Sequence, residues 1–378
     1  MTISCIAPGN FPFPPAACTS VEIYLWHLAT QLARTEPVLL YGVGESPAQP
    51  NAPIQLTTRT FPAIDSKSYR HFLRKDLKQT PTPDLFHIEN SIPLLLHIKK
   101  IKPRIPLLLN LHSNVLIQNF SAITIRHVFH RVDALVVNSE FLKNDLLDRY
   151  PFLQPAKVNV IHPGVDLQQF PSRFSTEGAA RRAELRARYH ISNDQNIVLT
   201  IGRFIPRKGI VQVIDAFRSV LKTHPNSELW IIGGHPHANN NAFHAQVRDK
   251  ISGLPVRFFG FLPQSSLSDF YVAADLFVCA SQLPEAFGLV NLEASAAGIP
   301  VLASAKWGLC ESVAQNVSGR LVEAYTDPCA IAEEINALLS NKELCQQYGA
   351  NGRRRVEEQF SWPKTSQAFR SLYSRIMT

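Results

Sequence analysis

Uninterrupted runs of apolar residues recur along the whole chain, and each is short enough to be a β-strand. Runs of this kind are typical of parallel strands that are covered by other elements on both faces, because a strand with one face in water alternates apolar and polar residues. The runs are Ile3–Ala7, Val38–Tyr41, Leu85–Glu89, Leu107–Leu111, Leu135–Asn138, Ile197–Gly202, Glu228–Ile232, Val256–Gly260, Leu276–Ala280 and Val301–Ser304.

Segments with helical periodicity lie between these runs. One begins near Ser20, and a second spans Ser68–Lys78. A third runs from about Pro363 to Ile376 at the end of the chain. Strands that alternate with helices in this way predict an α/β fold with parallel sheets. The apolar face of the first helix carries Val21, Tyr24, Leu25, Leu28 and Leu32.

The chain has 378 residues, which is enough for two domains, because a single hydrophobic core usually stops growing at about 250 to 300 residues. We predict a first domain at residues 1–170, a connection at 171–192 and a second domain at 193–360. The connection would contain the charged helix Arg181–Tyr189.

Charge and composition describe an ordinary globular protein with a basic balance. Hydrophobic residues make up 45% of the chain and charged residues 18%, and the formal net charge is +8. Residues 1–170 hold 16 Lys plus Arg against 12 Asp plus Glu, and residues 171–378 hold 22 against 18, so each part carries +4. This even distribution argues against a nucleic-acid partner and suits anionic small ligands or an anionic membrane surface.

The six cysteines form no Cys-x-x-Cys pair and no Cys/His pattern of a zinc site, so we expect free thiols in a reducing compartment. The first fifteen residues lack the charged segment and the long apolar run of a signal peptide. No segment reaches the roughly 18 uninterrupted apolar residues of a membrane helix. We therefore expect a cytoplasmic protein, and contact with the inner face of a membrane stays open.

Two cationic segments are the reason why contact with a membrane stays open. The helix Ser68–Lys78 carries cations among apolar residues, and a second group of cations lies at Lys99–Arg104. Each segment can be a solvated helix face, which is the ordinary case, or a surface that meets a membrane-bound ligand.

The stretch Pro284–Ser304 contains several candidate functional groups of the second domain. A loop with Glu285 and Gly288 opens a short helix that contains Glu293, and a buried strand follows. The backbone N–H groups of the first helical turn have no intrahelical partners and lie at the positive end of the helix dipole. The stretch therefore predicts an anion site, suited to a phosphate, with one carboxylate before the helix and one inside it.

Other polar residues follow directly after predicted strands. Arg203 and Lys208 come after Ile197–Gly202, and His112 comes after Leu107–Leu111. Ligands of open α/β sheets bind beyond the carboxyl ends of the strands. Arg and Lys at such a position form a plausible clamp for a diphosphate, because Arg can donate two parallel hydrogen bonds and Lys adds a point charge.

These motifs together resemble the retaining glycosyltransferases of family 4, also described as glycosyl transferases group 1. That family has the GT-B fold, in which two Rossmann-like domains face each other across a cleft. The resemblance covers nearly the whole chain, and it implies that the terminal segment 361–378 packs back on the first domain. Its most specific part is Glu285–Ser304 combined with Arg203 and Lys208, and Glu285 and Glu293 are separated by seven residues as in the family signature.

The resemblance implies a role for each of these positions. Glu285, with Ala286, Phe287 and Gly288, would contact the donor sugar. Arg203, Lys208 and the amides of Leu289 and Val290 would hold the diphosphate. Glu293 would bind the ribose, and the backbone of Phe261 would meet the base. Glu285 and His112 would be the catalytic residues of the donor site.

Two places depart from the family pattern. The acceptor loop before the first helix has Cys18 and Thr19, followed by Ser20, where the family keeps a pair of glycines. Trp307 stands where the family has another glycine. Side chains therefore occupy places that the family leaves to backbone alone.

The implied reaction is transfer of a sugar from a nucleoside-diphosphate sugar, with retention at the anomeric carbon. The favoured donor is a UDP-sugar, and the acceptor is a glycan, a lipid-linked glycan or a small metabolite. No Asp-x-Asp motif occurs in the sequence, so we expect no metal and no cofactor beyond the donor. A nucleotide-sugar epimerase and a catalytically silent nucleotide-binding subunit remain as alternatives, and the sequence leaves the oligomeric state open.

Overall fold

The computed structural model describes residues 1–9, 11–12, 20–44, 53–62, 65–113, 119–234 and 241–377. The chain divides into two compact units. The first comprises Met1–Gly164 together with Trp362–Thr378, and the second comprises Val165–Ser361.

The described part of the first unit contains a seven-stranded parallel sheet in the order β3-β2-β1-β4-β5-β6-β7. The reversal of strand order occurs between β1 and β4, which is where ligands bind in doubly wound sheets. Its strands are β1 (Ile3–Ile6), β2 (Val38–Val43), β3 (Leu56–Phe61), β4 (Leu85–Glu89), β5 (Leu107–Leu111), β6 (Ala134–Val137) and β7 (Val158–Val160).

Several helices of this unit begin at polar residues that cap them. The helix Ser66–Gln79 has a capping box in which Asp65 accepts from the backbone of Ser68 and the Ser68 side chain accepts from the backbone of Asp65. Its helices are α1 (Ser20–Leu32), α2 (Ser66–Gln79), α3 (Ile92–Ile101), α4 (Ala122–Arg131) and α5 (Glu140–Arg149). A short 3₁₀ helix, Pro155–Lys157, precedes β7.

The C-terminal helix, Trp362–Met377, belongs to the first unit although the second unit intervenes in the sequence. Its buried residues Phe369 and Tyr373 share one hydrophobic cluster with Leu25 and Leu28 of α1. This burial of apolar surface against the sheet and α1 is what holds the end of the chain in the first unit.

The described part of the second unit contains a six-stranded parallel sheet in the order β10-β9-β8-β11-β12-β13. Here the strand order reverses between β8 and β11. Its strands are β8 (Asn196–Ile201), β9 (Ser227–Ile232), β10 (Val256–Gly260), β11 (Leu276–Cys279), β12 (Val301–Ser304) and β13 (Gly319–Val322). Its helices are α6 (Thr176–Arg188), α7 (Ile210–Thr223), α8 (Asn241–Ile251), α9 (Gln264–Ala273), α10 (Leu289–Ala296), α11 (Leu309–Ser312), α12 (Pro328–Leu339) and α13 (Lys342–Gln359), with a 3₁₀ helix at Pro206–Lys208.

Both faces of this second sheet are covered, which explains the uninterrupted apolar runs. Val198 of β8 lies in one hydrophobic cluster, while its neighbours Ile197 and Leu199 lie in another. Because side chains alternate between the two faces of a strand, a strand covered on both faces is apolar at every position. The predicted α/β fold with two Rossmann-like sheets is confirmed.

The segment predicted as an interdomain connection is an integral part of the second unit, which begins at Val165. Arg182 of α6 donates to the carbonyls of Val272, Ala273 and Ala274 at the end of α9. Its Nη2 also lies 2.6 Å from Oδ1 of Asp275. Charged hydrogen bonds to α9 thus place α6 in the second unit, and Val165 and Phe170 join the same unit through its hydrophobic cluster.

The partly buried carboxylate of Asp275 shows how α6 is attached. Burial alone would raise its pKa, but Arg182, Arg173 and Arg186 outweigh burial and hold the pKa below its usual value. Loss of Asp275 would be costly, because the Arg186 guanidinium, which is only 4% exposed, would lose its carboxylate partner.

Candidate active site

Two loops meet at the point where the strand order of the second unit reverses. The loop after β8 ends in the 3₁₀ helix Pro206–Lys208, and Gly209 follows with φ of 70°. A Cβ atom on Gly209 would lie 1.8 Å from the carbonyl oxygen of Ala280, so only glycine allows this approach. The contact joins the loop after β8 to the end of β11.

Backbone and side-chain hydrogen bonds tie the same loops together. The N–H of Gln282 donates to the carbonyl of Arg207 at 2.8 Å. The Arg207 guanidinium donates to the carbonyl of Pro284 at 2.6 Å. Arg207 thus holds the loop that carries Glu285.

Lys208 and Glu285, both of which are predicted donor-site residues, are in contact. The Lys208 ammonium is 2.5 Å from Oε1 of Glu285, and the two side chains are 17% and 16% exposed. Ser281 Oγ lies 3.5 Å from the same carboxylate oxygen. The pair is partly accessible, so both charges can also meet a ligand.

The segment after Glu285 presents backbone rather than side chains. Phe287 is 2% exposed and packs its ring on Phe360, so its side chain belongs to the core. Gly288 precedes α10 with φ of 90°, and a Cβ atom there would lie 2.6 Å from a methyl carbon of Leu309. Glycine is thus required at position 288, and Leu289 and Val290 in the first turn of α10 are partly exposed, so the N–H groups of that turn lie near the surface.

A tight turn supports this loop from the other side. The N–H of Gly308 donates to the carbonyl of Glu285 at 3.0 Å. A Cβ atom on Gly308 would lie 1.9 Å from the carbonyl oxygen of Ala286. Trp307 has φ of 59°, which is strained for a bulky residue, and its ring makes an edge contact with Tyr325. The departure at Trp307 therefore lies beside the predicted donor-sugar loop.

Glu293 of α10 is a buried carboxylate with neutral donors. The Tyr271 hydroxyl donates to Oε2 at 2.8 Å, and the Gln264 amide donates to Oε1 at 3.1 Å. Burial raises the pKa of Glu293, and the two hydrogen bonds offset only part of this effect. A buried carboxylate whose pKa is raised in this way is typical of functional sites.

Arg203 and Phe261 lie farther along the same sheet edge, after β8 and β10. Both are exposed, Phe261 to 45%. Within the described part of the chain, Arg203 forms no ion pair with Glu285 or Glu293. A Cβ atom on Gly234 would lie 3.3 Å from the backbone nitrogen of Phe261, so the ends of β9 and β10 approach closely.

His112 is the predicted site residue of the first unit, and it directly follows β5. Its Nε2 lies 2.6 Å from Oε2 of Glu89, the last residue of β4. Its backbone N–H donates to Oδ1 of Asn90 at 3.3 Å. The ring of Tyr24 meets the imidazole edge to face, with centroids 4.6 Å apart. Neighbouring strands thus hold both the backbone and the ring of His112.

Glu89 is the centre of a buried polar network. Its Oε1 accepts from His87 Nε2 at 3.0 Å and from Asn110 Nδ2 at 3.2 Å. Tyr373 of the C-terminal helix lies 2.5 Å from the other His87 nitrogen. Burial by itself would raise the pKa of Glu89, but His112 and His87 outweigh it and hold the pKa at about 2.

Several residues of these arrangements are not among the sequence predictions. His87 and Glu89 interrupt the apolar run of β4, and a polar side chain in a strand that is buried on both faces needs a partner. That pattern is the signal that identifies them. Gln264 and Tyr271 lie on helix α9, where nothing in the sequence distinguishes them from ordinary helix residues.

The predicted acceptor loop is described only at its end. Cys18 and Thr19 lie outside the described residues, and Ser20 is the exposed first residue of α1. In the described ranges no group of three or more His, Cys, Asp or Glu side chains is arranged to hold a metal ion. No helix in the described residues combines the length and apolar character that a membrane crossing requires.

The two doubly wound parallel sheets, with polar residues at the reversal point of each, define the chain as a GT-B protein. Residues 181–355 match the family described as "Glycosyl transferases group 1", and residues 21–169 match "Glycosyltransferase Family 4". The chain belongs to the family 4 glycosyltransferases.

Two relatives match nearly the full length of the chain, and a solved structure shows the same fold. Spore coat protein SA of Bacillus subtilis is 26% identical over 99% of this chain and 100% of its own. The lipopolysaccharide 1,2-N-acetylglucosaminetransferase of Salmonella typhimurium is 25% identical over 95% of this chain and 94% of its own. The structure of Anabaena HepE in complex with UDP-glucose superimposes with a TM-score of 0.78 and 19% identity, over 99% of this chain and 100% of that one.

Proposed function

We propose that the protein transfers a glycosyl group from a nucleoside-diphosphate sugar to a sugar-containing acceptor, with retention at the anomeric carbon and without a metal ion. The observation that carries this proposal is the contact of Lys208 with Glu285, 2.5 Å between Nζ and Oε1, at the reversal point of the second sheet. A cation for the departing diphosphate and a carboxylate for the sugar thus lie together at the place where α/β sheets bind ligands.

The donor diphosphate would be held by positive groups of the second unit. Lys208 and the exposed Arg203 supply charge, and the first turn of α10, at Leu289 and Val290, supplies backbone N–H groups. Breaking the bond between the sugar and the diphosphate leaves negative charge on the phosphate oxygens. Preorganised cations and N–H groups stabilise that charge in the transition state. The absence of an Asp-x-Asp motif from the sequence supports a site that works without a metal ion.

The remaining donor groups would be recognised by the residues around this centre. Glu293 would accept hydrogen bonds from the ribose hydroxyls, for which a buried carboxylate is a selective acceptor. Glu285, Ala286, Phe287 and Gly288 would contact the transferred sugar. The backbone of Phe261 would meet the base.

We assign no enzyme nucleophile. The acceptor hydroxyl would attack the anomeric carbon on the face that the diphosphate vacates, and its proton would pass to the departing phosphate oxygen. Glu285 would bind the sugar next to the reacting carbon. His112 would hydrogen-bond a substrate hydroxyl through the imidazole nitrogen that Glu89 does not use.

A UDP-sugar is the proposed donor and a glycan the proposed class of acceptor. The donor proposal is supported by Anabaena HepE, whose structure is a complex with UDP-glucose. The acceptor proposal is supported by the Salmonella relative, whose name gives a lipopolysaccharide N-acetylglucosaminetransferase. We also propose a cytoplasmic location with peripheral membrane contact through the cationic helix α2. No finding favours the epimerase or the silent-subunit alternative.

Nucleotide binding tests the proposal directly. Melting of the purified protein would be followed in EDTA with UDP, GDP, ADP and TDP and with their sugar conjugates, beside the variant Glu293→Ala. A ligand at 100 times its dissociation constant stabilises a fold by about 2.7 kcal/mol, which shifts the midpoint by a degree or more. We expect a shift with uridine ligands that the variant loses. The absence of a shift with every nucleotide would refute a donor site.

Retention is tested on the product. An acceptor screen with the nucleotide sugar that binds would follow release of the free nucleoside diphosphate. The one-bond coupling between C1 and H1 of the new linkage then reports its anomeric configuration. A configuration opposite to that of the donor would contradict retention, and conversion of the donor sugar without any acceptor would identify an epimerase.

A further inference from the structure

Glu89 carries more hydrogen bonds than a simple ion pair requires. Glu89 is fully buried at the carboxyl end of β4, and its two oxygens accept different numbers of hydrogen bonds. Oε1 faces two donors, His87 Nε2 and Asn110 Nδ2, whereas Oε2 faces His112 Nε2. One oxygen of the carboxylate is thus bound by the interior of the first unit, and the other is bound by His112.

The donors in this network can be assigned from the charge of Glu89. Burial raises the pKa of Glu89, but His112 and His87 outweigh burial and hold the pKa at about 2. Glu89 is therefore an ionised carboxylate near neutral pH and accepts every hydrogen bond it makes. His87 and His112 must both carry hydrogen on Nε2. In His87 the other nitrogen then accepts from the Tyr373 hydroxyl, 2.5 Å away.

The two histidines differ in what is left for other partners. The His87 side chain is fully buried, and both of its ring nitrogens are paired. The His112 side chain is 13% exposed, and among the described residues its Nδ1 has no hydrogen-bond partner. With Nε2 donating to Glu89, Nδ1 is the nitrogen that can meet a substrate.

The residue next to Glu89 holds the other end of His112. Asn90 adopts φ of 51°, a left-handed conformation that asparagine tolerates, and its Oδ1 accepts from the backbone N–H of His112. Its own N–H donates to the carbonyl of Asn110 at 2.8 Å, which anchors it to β5. Two consecutive residues therefore hold the backbone and the ring of His112.

We infer that Glu89 is a positioning residue, which keeps His112 in the form with hydrogen on Nε2 and directs Nδ1 toward the substrate. Orientation of a functional imidazole by a buried carboxylate is a general device, because the partner of one ring nitrogen determines what the other can do. The inference rests on the proposed function in one respect only, that His112 contacts substrate. The tautomer itself is a property of the protein alone.

The variant Glu89→Gln makes a specific prediction. The position of Oε1 faces two donors, so the oxygen of the introduced amide belongs there, and the amide NH₂ then faces Nε2 of His112. A donor opposite Nε2 forces His112 to accept at Nε2 and to carry its hydrogen on Nδ1. His87 keeps its hydrogen on Nε2, because it still faces an oxygen.

Long-range ¹H–¹⁵N correlation spectra of the full chain labelled with ¹⁵N-histidine, recorded at pH 8, would show which ring nitrogen of His87 and of His112 carries hydrogen. The His112 signals are identified by their loss in His112→Gln. We expect hydrogen on Nε2 of His112 in the wild type and on Nδ1 in Glu89→Gln. Hydrogen on Nδ1 in the wild type would overturn the inference without any variant, and so would an unchanged tautomer in folded Glu89→Gln.

Activity provides the second readout, and Tyr373→Phe is the matched control. That variant removes a hydroxyl from the far end of the same network and leaves the contact of Glu89 with His112 intact. In Glu89→Gln we expect kcat to fall about 10-fold or more with little change in the donor KM. In Tyr373→Phe we expect normal kcat and the wild-type His112 tautomer.

The two readouts separate this inference from the proposed function. If no transfer is detected in the wild type, the spectra still decide whether Glu89 sets the tautomer, and the proposed function alone fails. If the tautomer changes in Glu89→Gln while kcat stays normal, the positioning role is overturned although the transferase proposal stands. An equal loss of kcat in Tyr373→Phe would also overturn it, since the effect would then be one of general stability.

Discussion

Lys208 and Glu285 are 77 residues apart in the chain, yet the ammonium of one lies 2.5 Å from the carboxylate of the other. The contact exists because β8 and β11 are neighbours in the second sheet, so the loops after them leave from the same edge. Gly209 closes the remaining distance through its contact with the carbonyl of Ala280. The pair is therefore a product of the strand order and of one close backbone approach.

Removal of the Lys208 charge should affect turnover more than folding. A partly exposed ion pair contributes little to stability, whereas loss of one preorganised donor to a developing charge lowers kcat about 10²- to 10³-fold. We expect the kcat of Lys208→Gln to be lower than that of the wild type by a factor in that range. Its melting midpoint should be close to that of the wild type. The control is Lys250→Gln, which breaks the comparable pair with Asp215, 2.8 Å apart. Equal kinetic losses in both variants would exclude a role for Lys208 in the reaction.

Glu293→Gln should make the protein more stable and weaken donor binding. Burial raises the pKa of Glu293 in the folded state, so the cost of ionising it is absent at acidic pH and appears as the pH rises. Glutamine can accept from the Tyr271 hydroxyl without that cost. The gain in stability should therefore be larger at pH 8 than at pH 5 in denaturant titrations.

Donor affinity of the same variant tests why the carboxylate is kept. Hydrogen bonds to a charged group contribute about 1.5 to 3 kcal/mol, so the dissociation constant of the donor should rise roughly 10- to 100-fold. Isothermal calorimetry at pH 8 would measure it. Unchanged affinity would show that Glu293 does not bind the ribose.

Glu89 should make the first unit sensitive to acid. Its pKa is about 2 in the folded protein against an ordinary value of 4.5, so its stabilising effect is complete above pH 4.5 and is lost as the pH falls toward 2. The loss in the free energy of unfolding over this pH interval should be on the order of 3 kcal/mol. The stability difference between the wild type and Glu89→Gln should shrink over this interval, as followed by circular dichroism. A constant difference would mean that the charge of Glu89 is not what stabilises the network.

Gly209→Ala should disturb the junction of the two loops, and Gly253→Ala is its control. Both glycines have positive φ, 70° and 73°, so the conformational cost of alanine is similar. A Cβ atom on Gly253 meets nothing within 4 Å, whereas on Gly209 it would lie 1.8 Å from a carbonyl oxygen. We expect a loss of about 1 kcal/mol for Gly253→Ala and at least roughly 2 kcal/mol for Gly209→Ala.

Kinetics of the two glycine variants separate the junction from ordinary stability. Only Gly209→Ala should lower kcat, because it displaces Lys208 relative to Glu285. Melting curves and initial rates on the two purified proteins suffice. Similar effects of both substitutions would show that the contact with Ala280 is unimportant.

Central strands can be predicted from the sequence more reliably than edge strands. The central strands β4, β5 and β12 have the predicted bounds, because continuous apolar runs are required where helices cover both faces. Of the four edge strands in the described sheets, only β10 is among the predictions, and β3, β7 and β13 are not. An edge strand is less completely covered, and β3 shows the effect, since its residues from Thr57 to Thr60 are all polar and none of its residues is fully buried.

The sequence by itself determined the α/β class, the family and the stretch from Glu285 to Glu293, because these depend on local periodicity and on residues close together in the chain. The tertiary structure decided which distant residues meet. The partners of Glu89 lie on β4 itself, on β5 and directly after β5, and the bond between His87 and Tyr373 of the C-terminal helix spans 286 positions. A buried polar side chain must find a partner, but strand order and helix docking decide which one, and those depend on the folding of the whole unit.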